Sequence, residues 1–322
     1  MLSELRDCSD ARPYWAEVEA WPVDQLETLG HALVPEAGRR WSFDSVLDHV
    51  LRLLAQKRSG ERAAAAVRIA AGLPAATQAR VAALLATSQR EHVLRSLLAG
   101  EIPTELGACL LHEMILRRKS VVAVADAWVP RLAGHPLGAL PLHPLPGETR
   151  VSQPFGPSKV DPITTAGAVP GVSREPAPPD LTAAVTTWLT RSNGLAEAAV
   201  FTLDAVLDPD AVGVRTLEAL DLDCLAGGGL ALHRATLDEV VAILFGAAKN
   251  GGAYDHGLGG AYGRAATWRS VNALAGGSHV GCAWWIFDAA NDWFERVFWD
   301  LGVVCLRPGG HVMAVLAATD TD

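Results

Sequence analysis

The feature that most constrains the fold is the uneven distribution of proline along the chain. Eleven of the 19 prolines fall within residues 134–180 of the 322-residue sequence. Proline fixes its own φ and has no backbone N–H, so such a segment cannot supply a long helix or a central strand. We therefore predict an extended linker over 134–180, partly packed at Leu137, Leu140, Leu142 and Leu145, between two separately folded parts.

The part before the linker, residues 1–133, has the apolar periodicity of helices. The segment "FDSVLDHVLRLLAQ" places its large apolar residues on one stripe, namely Val46, Leu47, Val50, Leu51 and Leu54. Similar segments begin about every 15 residues, and helices this short must bury their stripes against neighbours. We predict an array of antiparallel helical hairpins. No repeated signature is present, so a regular solenoid and an irregular array both remain open.

The part after the linker, residues 181–322, mixes strand and helix patterns. Strands are predicted at "AAVFTLDAVL", "VGVRTLEALDL", "GLALHRA", "HVGCAWWIFDA" and "HVMAVLAATDTD". The fourth is apolar on both faces, which is typical of a central, covered strand. Helices are predicted at "ATLDEVVAILFGAAKN", with Thr236 and Glu239 as a capping box, and at "NDWFERVFWDLG", with Asn291 as cap. The predicted fold class is α+β (mixed α/β), a helical array followed by a sheet domain with covering helices.

Three segments near the C-terminus carry a resemblance to known sequences. They are "GAYGRAATWRSVNALAG", "WFERVFWDLGVVCLRPGG" and "AVLAATDTD". In these segments the chain resembles an uncharacterised actinobacterial family, a domain of unknown function from Streptomyces-type genomes. The resemblance covers mainly the C-terminal third. It implies a bacterial origin, and it carries no catalytic residue over to this sequence.

Composition narrows the classes of function. A net charge of −9 and a pI of about 5.6 argue against a general nucleic-acid binder. No apolar run reaches the roughly 18 residues of a membrane span, and the first residues lack a signal-peptide pattern. The five cysteines form no CxxC motif, and "HEMIL" lacks the second histidine of a zinc protease motif, so no metal site is predicted. We expect a cytoplasmic protein without membrane association.

The stretch "AYDHGLGGAYGRAATWR", residues 253–269, is the first candidate site. It matches neither the P-loop nor the dinucleotide-binding glycine pattern. The N–H groups of Gly259, Gly260 and Ala261 are expected at a helix N-terminus, which attracts anions. Acid–base and anion-binding groups could come from Tyr254, Asp255, His256, Tyr262, Arg264 and Arg269. The alternative is that the glycines only connect two helices while the polar groups are solvated.

The terminal "TDTD" is the second candidate. Asp320 and Asp322 follow a strand that is apolar on both faces. One interpretation is a solubilising tail, since chain ends are usually mobile. The other is that the last strand lies inside the sheet and holds these acids at a sheet edge. In open α/β sheets ligands bind there, and Arg264, Arg269 or a divalent cation could be the counter-charge.

Two functions fit these features. The first is a protein-binding or accessory protein, with an immunity-like role among the options, because helical arrays usually bind proteins and negative charge would steer a basic partner. The alternative is an enzyme acting on an anionic small molecule at residues 253–269 and the terminal aspartates. No motif fixes a reaction class.

Overall fold

The computed structural model describes residues 2–5, 8, 10–148, 163, 167–294 and 299–321. The chain divides into two compact units, Met1–Pro144 and Leu145–Asp322. The first is helical and the second contains an antiparallel sheet, so the predicted α+β class is confirmed. Among the described residues, no helix combines the length and the apolar character needed to cross a membrane.

The first unit is built from helices joined by short loops. They are α1 (Leu2–Leu5), α2 (Arg12–Val18), α3 (Val23–Leu33), α4 (Trp41–Gln56), α5 (Gly60–Ala70), α6 (Ala75–Ser88), α7 (Glu91–Ala99), α8 (Thr104–Leu116) and α9 (Val122–Trp128). Helix α4 packs against α3, α5 and α6, burying the stripe predicted from its periodicity. These short helices are thus stabilised by their neighbours rather than by intrinsic propensity.

Helix α8 is the centre of this unit. Every residue from Leu106 to Ile115 is buried, and α6 packs along the helix. The Trp128 ring lies against Gly107, where a Cβ atom would come within 1.9 Å of the ring. The Trp128 Nε1–H donates a hydrogen bond to the Leu98 carbonyl at 3.0 Å. The absent side chain at Gly107 therefore creates the space that a buried tryptophan fills.

The second unit is a sheet with helices in its connections. Its elements are β1 (Val172–Glu175), α10 (Thr186–Arg191), β2 (Leu195–Leu203), α11 (Val214–Glu218), β3 (Leu230–Ala235), α12 (Leu237–Asn250), α13 (Gly259–Ala275), β4 (Ala283–Ala289), β5 (Leu301–Leu306) and β6 (Val312–Thr319). In the described residues the strand order is β1-β2-β6-β5-β4-β3, with every neighbouring pair antiparallel. Strand β6 is therefore internal, as one of the two interpretations of the terminal segment requires.

Both faces of this sheet are covered. One face carries Trp285, Phe287 and Val315 into a core that is closed by the segment following β2. On the other face, Trp284 and Leu316 point towards α12 and α13, because side chains alternate along a strand. The prediction that "HVGCAWWIFDA" contains a strand covered on both sides is confirmed, with the strand confined to β4.

Three predicted elements differ in the structure. The segment "VGVRTLEALDL" is not a strand but contains α11, because the Thr216 hydroxyl accepts the Gly213 N–H and starts a helical turn. The helix predicted over "NDWFERVFWDLG" is absent from its described residues, because 291–294 form bends and Leu301 and Gly302 begin β5. Residues 295–298 of that segment lie outside the described residues. The predicted linker contributes β1, which pairs with β2.

The start of α12 matches its prediction. The Thr236 hydroxyl accepts the Glu239 N–H at 3.3 Å, and the Glu239 carboxylate accepts the Thr236 N–H at 2.7 Å. This reciprocal pair is the predicted capping box. The capping box fixes the residue at which α12 begins. The glycine-rich stretch follows directly after the end of this helix.

Candidate functional site

The glycine loop, residues 251–258, joins α12 to α13 and is closed by two of the predicted acids. The Asp255 carboxylate accepts the N–H of Gly252 at 2.9 Å and also that of Gly257. The Asp320 carboxylate accepts the Ala253 N–H at 2.7 Å. Two carboxylates that are far apart in sequence therefore meet on one short loop and satisfy its backbone donors.

Asp320 is fully buried where the chain leaves β6. A Cβ atom on Gly252 would lie 1.7 Å from the Asp320 Oδ2 atom, so this loop position requires glycine for close approach. The interpretation of this acid as part of a solvated tail is wrong, because the internal strand β6 holds the residue in place. Asp322 lies outside the described residues.

The ligand rule invoked for this sheet edge does not apply. It concerns parallel strands, whose carboxyl ends gather on one side of an open sheet. Here every neighbouring pair of described strands is antiparallel, so carboxyl and amino ends alternate along the edge. The position of Asp320 beyond β6 is therefore not by itself evidence for a ligand.

Arg264 is fully buried on α13, in an ion pair with Glu148. The Arg264 Nε–H donates to the Glu148 Oε1 atom at 2.5 Å, and the Trp268 Nε1–H donates to the same oxygen at 2.7 Å. The backbone N–H of Leu145 donates to the other oxygen at 2.8 Å. Arg264 and Trp268 share one side of the helix, as their spacing predicts. The charge of Arg264 therefore anchors the segment 145–148 to α13.

The remaining predicted residues are closer to the surface. Arg269 is exposed and forms an ion pair with Asp180, with its Nε atom 3.1 Å from Oδ1. Tyr254 and His256 are exposed on the glycine loop, and Tyr262 is half-buried on α13. The expected anion-binding N–H groups of residues 259–261 do begin α13. The structure thus brings Asp255 and Asp320 together, whereas Arg264 and Arg269 pair with other acids.

One comparison with known proteins gives a match. A family model described as a family of unknown function (DUF6183) matches residues 15–322. The chain belongs to this family. The DUF6183 match spans both compact units. No curated protein matches the chain. No solved structure matches it either.

Three residues of this DUF6183 chain escaped sequence reasoning although they contact the predicted site. Glu148 binds Arg264 across 116 residues, and Asp180 binds Arg269 across 89. Ser192 accepts the Tyr254 N–H at 3.2 Å. Glu148 and Asp180 both come from the proline-rich segment, and nothing in the local spacing links them to α13. The one available signal is the requirement that a buried arginine have an acidic partner.

Three exposed apolar side chains lie on the glycine loop and on the two elements that flank Ser192. Tyr254 is 61% exposed, Leu195 59% and Leu189 39%, and we call these three residues the Tyr254 patch. The hydrogen bond from Tyr254 to Ser192 places the loop between α10 and β2, within three residues of both leucines. Exposed aromatic and aliphatic side chains are typical components of interaction surfaces.

A further hydrogen bond involving an acid lies near Asp320. Among the residues that the structure describes, no group of three His, Cys, Asp or Glu side chains is arranged to hold a metal ion. Near Asp320, the Thr319 hydroxyl donates to the Asp300 carboxylate at 2.6 Å, which joins the ends of β6 and β5. This hydrogen bond and those of Asp255 and Asp320 hold the loop and the strand ends together.

Proposed function

We propose that the chain is a protein-binding or accessory protein that contacts its partner through the Tyr254 patch. The observation that carries this proposal is that the acidic and aromatic side chains of the glycine loop point in different directions. The acids Asp255 and Asp320 are turned inward onto backbone N–H groups. The Tyr254 side chain, in contrast, is turned outward to solvent.

A loop with buried acids and an exposed tyrosine is well suited to bind a protein. Tyrosine is enriched at the centres of interfaces because a rigid, amphipathic ring buries a large area at little entropic cost. The loop beneath it is held by Asp255, Asp320 and Ser192, so that little ordering is needed on binding. The net charge of −9 would steer a basic partner towards the chain.

The biological setting is part of the proposal. The resemblance of the C-terminal segments supports a bacterial, actinobacterial origin, and the absence of paired-cysteine motifs supports a reducing cytoplasm. An immunity-like role fits an acidic protein that blocks a basic one. The helical first unit would offer further contact area.

The test uses partners captured from lysate of the native host by the full chain. Mass spectrometry identifies each candidate, and calorimetry on the purified pair gives Kd. Replacing Tyr254 by Ala should weaken binding about 30-fold, which corresponds to roughly 2 kcal/mol at an interface centre. The matched control is Val280→Ala, an apolar residue that is 73% exposed in the turn before β4. Equal affinities for the chain and for Tyr254→Ala would refute the proposal.

The enzyme alternative gives a different result in the same material. If the glycine loop binds an anionic small molecule, the chain alone should bind ATP or inorganic phosphate saturably. That binding should be lost in His256→Ala, because the exposed imidazole of His256 is a candidate hydrogen-bond donor to an anion on this loop. The Tyr254→Ala variant would then have little effect on any captured protein.

A further inference from the structure

Two of the five cysteines meet on the sheet of the second unit. Strand β4 pairs with β5 so that Trp284 lies opposite Cys305 and Ala283 opposite Leu306. Continuing this register by one residue places Cys282 opposite Arg307, diagonally next to Cys305 and on the same face of the sheet. The two side chains are therefore neighbours on this face, and both thiols are free.

The two thiols differ in their surroundings. Cys282 is half-buried in the turn before β4, where its Sγ atom is 3.5 Å from the Ser278 carbonyl oxygen. The neighbouring Cys305 thiol lowers the pKa of the Cys282 thiol, and the nearby charge of Arg307 lowers it further. Burial raises the pKa of Cys305 far above its usual range. Of the two thiols, Cys282 therefore ionises more readily.

Arg307 is held in the position this arrangement needs. Its Nε–H donates to the Leu274 carbonyl at 3.0 Å, and its Nη2 group donates to the Ala273 carbonyl at 3.0 Å. These carbonyls belong to the last turn of α13. The guanidinium is thus fixed beside Cys282, and a fixed cation near a half-exposed thiol is typical of reactive cysteines.

Two other cysteines have the opposite environment. Burial raises the pKa of Cys109, and the charge of Glu105 raises it further. Burial and Glu197 do the same for Cys224. These thiols are inert core residues, as expected for buried cysteines next to carboxylates. The pair formed by Cys282 and Cys305 is therefore chemically distinct within the chain.

We propose that Cys282 and Cys305 form a reactive dithiol that reduces low-molecular-weight disulfides. The Cys282 thiolate attacks one sulfur of the small disulfide and forms a mixed disulfide, while the other sulfur leaves as a thiolate and takes a proton from water. The Cys305 sulfur then attacks the Cys282 sulfur and displaces the second small thiol, which takes the Cys305 proton. Two protein thiols are oxidised to one disulfide, and one small disulfide is reduced to two thiols.

The product would link the start of β4 to β5. A disulfide needs sulfur atoms about 2.05 Å apart, so the two side chains must rotate towards each other from their diagonal positions on the sheet. The turn that carries Cys282 can supply this movement, because this residue precedes the paired part of β4. This site is separate from the Tyr254 patch, and the inference does not depend on the proposed function.

The test exposes the full, folded chain to oxidised glutathione, blocks the remaining thiols and maps the disulfides by mass spectrometry. We expect a Cys282–Cys305 linkage in the chain and in the control Cys109→Ser. Cys305→Ala should stop at a mixed disulfide between Cys282 and glutathione. Cys282→Ser should lose the linkage and leave Cys305 unreacted.

Two results would overturn the inference. One is a folded chain in which Cys282 stays unmodified under conditions that modify Cys8, the other half-buried thiol. The second is a Cys282 mixed disulfide that persists although Cys305 is present. If circular dichroism shows that Cys305→Ala does not fold, the mapping of the unaltered chain and of Cys282→Ser decides the question.

Discussion

At the scale of single residues, the buried ion pair between Arg264 and Glu148 explains why Arg264 does not face a ligand at the predicted site. A positive charge can be fully buried only if a partner and further hydrogen bonds compensate for lost hydration. Glu148 supplies that compensation, and Trp268 and the Leu145 N–H bind the same carboxylate. An arginine chosen as a ligand clamp thus stabilises the fold.

Removing Arg264 should therefore be costly. Arg264→Met leaves Glu148 as an uncompensated buried charge, and we expect a loss of about 3–5 kcal/mol in the free energy of unfolding, measured with urea. The matched control is Arg269→Met, because its ion pair with Asp180 is exposed and should contribute no more than about 1 kcal/mol. Similar losses in the two variants would contradict a compensated buried pair.

Asp320 gives a second residue-scale prediction. Its carboxylate accepts the Ala253 N–H from full burial, and hydrogen bonds to charged groups contribute about 1.5–3 kcal/mol each. Asp320→Ala should reduce the unfolding free energy by that amount. Asp292→Ala, at an exposed acid, should change it by less than about 0.5 kcal/mol. An equally small effect of Asp320→Ala would mean that the loop does not need this acid.

Sequence reasoning found these residues but not their partners. The charged and aromatic residues of 253–269 can be identified from the sequence directly. The contacts of Arg264 with Glu148 and of Ala253 with Asp320 join residues 116 and 67 positions apart, and they depend on how α13 and β6 pack. Composition indicates that a buried arginine needs an acid, but it cannot choose among 36 acidic residues.

At the scale of elements, local sequence patterns predicted a helix or strand correctly where a single physical effect determines the structure. The capping box placed the start of α12, and the two-faced apolar pattern identified β4. The pattern failed at α11, where valine and threonine suggested a strand but the Gly213–Thr216 hydrogen bond begins a helix. The pattern also failed to predict β5. All six residues of this strand are buried, so the sequence shows no alternation of polar and apolar residues there.

Strand β4 carries the prediction for this scale. Trp284 and Trp285 are both buried, one on each face of the sheet. Replacing either by Ala should cost about 3–5 kcal/mol in urea unfolding, as for other large buried aromatics. Val280→Ala, in the exposed turn before the strand, serves as the control. A loss below about 1 kcal/mol for either tryptophan would show that its face of β4 is not part of the core.

At the scale of the whole molecule, the prediction concerns the proline-rich segment 134–180, which contains the boundary between the two compact units at Pro144 and Leu145. Proline-rich backbone lacks regular hydrogen bonding, so limited digestion should cut first within residues 134–180 and leave two resistant fragments. Mass spectrometry of the earliest fragments gives the cut sites. First cuts within 44–132 or 280–318 would contradict the predicted domain boundaries, since those ranges contain buried helices and strands.

The internal position of β6 has a consequence for how the protein is made. Leu195 in β2 pairs with Thr319 in β6, about 120 residues later, whereas the helices of the first unit contact near neighbours in sequence. As the chain leaves the ribosome, the first unit can fold before β6, the strand that pairs with β2, has been synthesised. One edge of the emerging β2 stays open to other chains until β6 has been synthesised. The second unit is thus completed only after β6 has been synthesised, and we expect the interval between β2 and β6 to be when the nascent chain most needs a chaperone.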